Sequence, residues 1–463
     1  MPIQFAHSCV VESALTDLRA FLDARITAAL ASREQHSHDE SSHPPALPDL
    51  VCFPQSTEEV SRIVAVSARH KLPIVPFGAG TSLEGHVNAV CGGISIDMRR
   101  MNRIRRISVE DMDATVEAGV SRMQLMKALE NTGLTFFIDP GADATLGGMA
   151  STRASGTTAV RYGTMRENVL GLTVVLADGR VIHTGTRARK SSAGYDLTRL
   201  FVGAEGTLGV ITEVILRLHG LPEALVVARC AFATIEGAVK TVIEVIQFSL
   251  GVARIEFMDD RLVDAINRYS RIDLPVAPTL LFEFHGINET TVSETARLAE
   301  GLAAENGGLR FAWETIPEAR ERLWKARHDT YYAARALRPD SEVLTTDVCV
   351  PISRLAECII TTRAEIDAAP FPATIVGHVG DGNFHVQCMY APEEAAEVNS
   401  FAMRLVERAQ SMGGTCTGEH GVGLGKKKYL VAEHGEALEL MRALKRTLDP
   451  DNRMNPGKIF DCD

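Results

Sequence analysis

The sequence predicts an α+β protein of two domains, on three observations. From Pro48 the 463-residue chain runs as a regular succession of short apolar strands and amphipathic helices. Three stretches rich in Gly, Ser and Thr interrupt it, at 78–85, 139–156 and 203–209. Past Gly220-Leu221-Pro222, strands alternate with longer helices, a succession that suits an antiparallel sheet covered by helices. The expected organisation is an N-terminal helix and loop over 1–46, a first domain over 47–222, a second over 223–420, and a C-terminal segment 421–463 that returns to the first.

Taken in order, Val11, Leu15, Leu18, Leu22, Ile26 and Leu30 recur at helical spacing, so 11–31 reads as an amphipathic docking helix. Residues 33–49 are polar and proline-rich and read as a solvated loop, with His36, His38 and His43 in water rather than on a metal. A strand is expected at Leu50–Phe53, then a helix capped by Ser56 with Glu59 three residues on, running to about Lys71. Strands follow at Pro73–Phe77, Ile94–Met98 and Ala114–Ala118, and a helix at Ser121–Asn131. The stretch 139–156 holds too many small residues for a packed element. Thr173–Leu176 and Arg180–Thr184 form a hairpin around Ala-Asp-Gly, and another strand ends at Leu218. In the second domain, strands at 224–232, 252–257, 279–285 and 309–314 alternate with helices at 235–249, 259–269, 290–306 and 317–336.

Composition narrows the function. Hydrophobic residues at 45% and charged residues at 23% are ordinary for a soluble globular chain. A net charge of −11, without a dense Lys/Arg stripe, argues against a nucleic-acid partner but leaves a small anion open. The nine cysteines are scattered with no CxxC pair, which supports neither a zinc ribbon nor an iron–sulfur cluster and reads as small buried thiols in a reducing compartment. No apolar run approaches the ~20 residues that span a bilayer. The N-terminus lacks a basic region followed by an apolar core. A cytoplasmic protein is expected, with peripheral contact to a membrane through a partner left open; a homodimer is compatible.

The chemistry concentrates in two places. The first glycine loop, Gly78-Ala79-Gly80-Thr81-Ser82-Leu83-Glu84-Gly85, follows a strand but precedes no helix, so it is neither a dinucleotide fingerprint nor a P-loop. Its free N–H groups and hydroxyls make a nest for phosphate oxygens. The second loop repeats that composition, and two such loops with a third at 203–209 favour a large pyrophosphate-bearing cofactor. The other place is Val376-Gly377-His378-Val379-Gly380-Asp381-Gly382-Asn383-Phe384-His385. With Gly380–Asn383 as the turn, His378 faces His385, close enough for two imidazoles to share one ion or simply to pack. Gly418-Glu419-His420-Gly421 adds a carboxylate, and two His with one Glu leave a coordination position open.

Pro76 through Gly85, Asp139 through Gly156, Arg161-Tyr162-Gly163 and Gly203 through Thr212 resemble the FAD-binding domain of the vanillyl-alcohol-oxidase/p-cresol-methylhydroxylase (PCMH) flavoproteins. Residues 346–352, the His378/His385 hairpin, Gly-Thr-Cys-Thr-Gly-Glu-His-Gly and Met-Asn-Pro-Gly-Lys narrow this to the FAD-dependent D-lactate dehydrogenases that pass electrons to cytochrome c or a like acceptor. The resemblance implies FAD held by Pro76, Phe77, Gly78, Ala79, Gly80, Thr81, Ser82 and Gly85. To these it adds Pro140, Gly141, Ala144, Thr145, Gly147, Gly148, Ser151, Ser155, Gly156, Tyr162 and Gly163. Glu205, Gly206, Gly209, Val210, Ile211 and Asn455 complete the set. Thr81 stands where covalent members carry His, so noncovalent FAD is inferred.

The resemblance further implies zinc or manganese on His378, His385 and Glu419, His420 as the catalytic base, and substrate contacts from Arg327, Tyr331, His378 and His420. Arg327 also lies on the apolar stripe of its helix with Leu323, Trp324 and Tyr331, where a buried guanidinium needs an anionic partner. Thr345 occupies the place of a Lys that takes the second carboxylate in D-2-hydroxyglutarate dehydrogenases, which favours a monocarboxylate. The expected activity is FAD-dependent oxidation of D-lactate or a similar D-2-hydroxy acid, with cytochrome c, a quinone or an electron-transfer flavoprotein as acceptor. The alternatives are glycolate, a bulkier D-2-hydroxy acid or D-2-hydroxyglutarate as substrate. More remote are a flavin-free zinc hydrolase and a flavin-binding module without chemistry.

Overall fold

The computed structural model describes residues 2–314 and 316–461, with side chains from residue 8; Cys462 lies outside the described residues. The chain forms two compact units. One comprises the residues up to Ser155, Thr164–Leu221 and those from Glu419 onward; the other comprises Gly156–Gly163 and Pro222–Gly418.

In the first unit, Ile74–Phe77 and Leu50–Cys52 flank Ile94–Asp97 in parallel, and Ile26–Thr27 adds an antiparallel edge. A second, antiparallel sheet runs in the order Ile104–Ser108, Asp113–Glu117, Val210–Arg217, Val169–Val175, Val181–His183. Both sheets feed one core, in which Leu50, Ile63, Ile74, Ile94, Val116, Leu146, Val174 and Val214 are buried. Helix Thr57–His70 starts where Ser56 accepts the Glu59 N–H, as its sequence predicts, and ends at Lys71 in the left-handed conformation.

Three expectations for this unit need correction. The docking helix spans Pro2–Leu22, and Ile26 belongs to a strand paired with Cys52. Residues 33–49 are a solvated loop only in part, with His38 exposed. Leu30–Gln35 is helical, and His36, Ser37 and Asp39 are buried. His36 gives its two ring nitrogens to Ser32 O (2.7 Å) and Asp97 Oδ2 (3.0 Å), so a buried partner replaces water. The glycine-rich stretch does hold a packed element, helix Leu146–Thr152. Thr145 Oγ1 caps it by accepting the Gly148 N–H, and Leu146, Met149 and Ala150 bury its inner face.

The second unit is built on an eight-stranded antiparallel sheet. Its order is Gly308–Glu314, Ala224–Phe232, Thr279–Gly286, Val252–Met258, Ala373–Gly377, Asn383–Tyr390, Glu342–Thr345, with Val348–Cys349 also on Asn383–Tyr390. Helices Ile235–Gln247, Asp260–Ser270 and Glu289–Glu305 start at Thr234, Asp259 and Asn288, each of which accepts a backbone N–H in the first turn. The expected helix over 317–336 is two, Pro317–His328 and Thr330–Arg335, broken at Asp329. None of the eight described cysteines is in a disulfide; five are buried, but Cys9 and Cys91 are exposed and Cys349 is half-buried, so burial is not general. No described helix is long and apolar enough to cross a membrane.

Candidate active site

The His hairpin forms with a different register from the one its sequence suggests. Val376, not His378, stands opposite His385. The loop runs from His378 to Gly382 and is closed by Asp381 N–H to His378 O (3.0 Å) and Gly382 N–H to Val379 O (3.3 Å). Gly382 takes φ 79°, and a Cβ there would collide with the Val350 carbonyl oxygen. The two-residue slip keeps both histidines on one side because strand side chains repeat every second residue. Their ring centroids lie 5.5 Å apart at 82°.

The ring nitrogens of His378 and His385 and a carboxylate oxygen of Glu419, the residue bonded directly to Gly418, all lie within 4.8 Å of one another. His378 Nδ1 pairs with Glu256 Oε1 (2.7 Å), and His385 Nδ1 with the Thr346 carbonyl (3.0 Å). With Nδ1 tied back, Nε2 is the atom of each ring that would meet an ion. Asp347 backs this segment, accepting from Asn383 Nδ2 and Thr417 Oγ1 at 2.7 Å each. Two imidazole nitrogens and a carboxylate oxygen, with a position open, fit Zn²⁺ or Mn²⁺.

Glu256 was not visible as a site residue in the sequence. Its carboxylate is completely buried and also takes Arg327, through Nε (2.8 Å) and Nη2 (2.6 Å) to Oε2. Burial works to raise its pKa, but the hydrogen bonds from His378 and Arg327, with the Arg327 charge, outweigh it and hold the carboxyl below the usual range. Arg254 and Glu256 alternate on one strand, and Glu283 and His285 on the next, with Arg254 opposite Glu283. Polar residues at every second position of two apolar strands were the available signal. The anionic partner of Arg327 expected from its stripe is thus in part the protein's own Glu256. Nη1 points to Thr330 Oγ1 at 3.4 Å. Tyr331 is 39% exposed, its ring edge-on to Tyr332 rather than hydrogen-bonded into this cluster.

In the first unit the three glycine loops converge. A Cβ on Gly78 would collide with Thr145 Oγ1, so the first loop lies against the second. Glu205 N–H donates to Ser151 O (2.9 Å), and Asn455 Nδ2 donates to the carbonyls of His86 (3.1 Å) and Glu205 (2.7 Å). Pro76 and Phe77 end one strand above this junction, and Val210 and Ile211 begin another. A Gly-lined junction of these three loops fits the pyrophosphate of a flavin dinucleotide. Gly156, Tyr162 and Gly163 belong instead to the second unit. There Tyr162 Oη pairs with His285 Nδ1 (2.8 Å), and His285 Nε2 with Glu283 Oε1 (2.7 Å).

Glu205, expected on the cofactor, is a buried clamp. Its two oxygens accept the N–H groups of Val422 (2.7 Å) and Gly423 (2.9 Å), just beyond His420, and Oε1 lies 3.3 Å from His86 Nε2. Burial would raise its pKa; His86 and the two N–H groups reverse that and lower it. His420 itself is partly exposed beside Glu419.

Two family models match the chain: the FAD binding domain over residues 48–185, and the FAD linked oxidases, C-terminal domain over 221–459. The probable mitochondrial D-lactate dehydrogenase of Danio rerio is 50% identical, over 98% of this chain and 93% of its own. The mitochondrial D-lactate dehydrogenase [cytochrome] of Arabidopsis thaliana is 46% identical, over 97% and 80%. Among solved structures, p-cresol methylhydroxylase with substrate bound superposes with a TM-score of 0.79 at 17% identity, covering 98% of this chain and 97% of that one, which shows the PCMH-type fold. With both domain models matched and such relatives spanning almost its whole length, the chain belongs to the FAD-linked oxidase family, in the group of the cytochrome-type D-lactate dehydrogenases.

Proposed function

We propose that the protein oxidises D-lactate, or a D-2-hydroxy monocarboxylate close to it, to the 2-oxo acid. The observation that carries the reading is the His378–His385–Glu419 donor set in a chain of this family. Bound FAD would supply the acceptor for the C2 hydride, and a divalent ion on that donor set would supply the Lewis acid for the hydroxyl oxygen. Arg327 binds the carboxylate with the guanidinium edge that Glu256 leaves, a planar fork suited to two parallel hydrogen bonds. The His420 imidazole takes the C2 hydroxyl proton. Thr345, paired with Gln387 on the sheet, supplies no cation for a second carboxylate, which supports a monocarboxylate. Electrons then leave for a cytochrome or a comparable acceptor.

The roles separate by substitution. His420→Ala keeps FAD absorbance and bound metal but loses anaerobic flavin reduction. His385→Ala loses metal while keeping FAD. A His420→Ala protein that reduces its flavin at the wild-type rate removes His420 from the reaction.

A further inference from the structure

Glu256 sits 122 residues upstream of His378 and 71 upstream of Arg327, yet its two oxygens are divided between them: Oε1 to His378 Nδ1, Oε2 to Arg327 Nε and Nη2. The carboxylate is fully buried and partnered on both sides, in an interior where a misplaced charge would be costly. We propose that Glu256 is a positioning residue that joins the metal-holding imidazole and the substrate-gripping guanidinium into one rigid unit. The inference deepens the reading above and rests on it.

A carboxylate can serve both partners here and its amide cannot. An ionised carboxylate only accepts, so it fixes the proton of His378 on Nδ1 and leaves the Nε2 lone pair for an ion. On the other side, Oε2 occupies the Nε–Nη2 edge of Arg327, so a substrate carboxylate meets the guanidinium at its Nη1–Nη2 end. One group therefore sets both the tautomer of a ligand and the face an anion is offered. A glutamine here has one acceptor oxygen and one NH₂. Turned with NH₂ toward His378, it puts the ring proton on Nε2; turned the other way, it sets donor against donor at Arg327. Neither orientation serves both partners.

The test compares Glu256→Gln with wild type as purified flavoproteins. Zn²⁺ affinity is measured by competition with a chelating dye, and D-lactate KM and kcat by steady-state turnover with an electron-accepting dye. Loss of such a partner typically weakens metal binding by about 10–100-fold, and that loss is expected in E256Q with FAD content unchanged and KM raised at least about tenfold. Glu283→Gln, which alters another buried carboxylate of the same sheet face but not one bonded to His378, is expected to leave Zn²⁺ affinity within about twofold. E256Q with Zn²⁺ affinity and KM within about twofold of wild type overturns the proposal, as does an equal loss in E283Q. Should E256Q not fold, ¹⁵N imidazole spectra of metal-stripped wild type decide. Nδ1–H on His378 is expected, and Nε2–H overturns it. If metal-stripped wild type reduces its flavin as fast as metal-loaded protein, the metal's role in the reaction falls, while the Zn²⁺ affinities and the tautomer still judge Glu256 separately.

Discussion

Replacing Glu205 by Gln separates two roles for that residue. As a clamp, its buried carboxylate holds the Val422 and Gly423 N–H groups at 2.7 and 2.9 Å and faces His86 Nε2 at 3.3 Å. Gln keeps one acceptor, turns a donor toward a backbone N–H or the imidazole, and removes the charge. Hydrogen bonds to charged groups contribute roughly 1.5–3 kcal/mol each, and breaking one side of a buried pair costs more, so a loss of about 2–4 kcal/mol follows. Urea unfolding of the two proteins side by side reads that difference. The clamped segment begins two residues after His420, and displacement of a reacting group by about 1 Å can cost 10²-fold. Flavin reduction at saturating D-lactate should therefore slow by at least about tenfold with FAD retained. If E205Q unfolds within about 0.5 kcal/mol of wild type and simply loses FAD, Glu205 is a cofactor contact and the clamp is wrong. Its left-handed φ of 52°, unusual for a residue with a Cβ, is consistent with a backbone held for this geometry.

Two further perturbations probe other parts of the account. Gly382→Ala forces a Cβ into the Val350 carbonyl at φ 79°; strain and overpacking together should cost roughly 2–4 kcal/mol in chemical denaturation. Lys458 is buried, its Nζ donating to the Asn88 carbonyl at 2.7 Å, and burial lowers its pKa to about 8. Because the folded state gives up this proton before the unfolded state does, stability should rise with pH from about 8 to about 10.5, by about 3 kcal/mol, and be lowest below pH 8. Lys458→Met should lack that rise when unfolding of the two proteins is compared across the window.

What the sequence revealed tracks how local each feature is. The strands and capped helices of both units rest on short-range signals, such as Ser56 three residues before Glu59, and those were legible. The donor set was legible too, because His378 and His385 share one hairpin and Glu419 lies in a distinctive glycine-flanked segment. The register was not, since two turn hydrogen bonds close the loop earlier than the Gly-Asp-Gly-Asn composition implies. Partners far along the chain escaped altogether. His36 looks solvated until Asp97, 61 residues on, is folded against it. Arg327 looks ready for a substrate alone until Glu256 is placed beside it. The helix at Leu146–Thr152 was hidden by its glycines, whose low helix propensity is overridden by the Thr145 cap and three buried side chains.

The most direct test of D-lactate oxidation is anaerobic bleaching of the flavin band near 450 nm by a panel of D- and L-lactate, glycolate and D-2-hydroxyglutarate. Rapid bleaching by D-lactate, little by L-lactate, and slower reduction by the dicarboxylate are expected. Flavin that stays oxidised with D-lactate, or bleaches faster with D-2-hydroxyglutarate, contradicts this expectation.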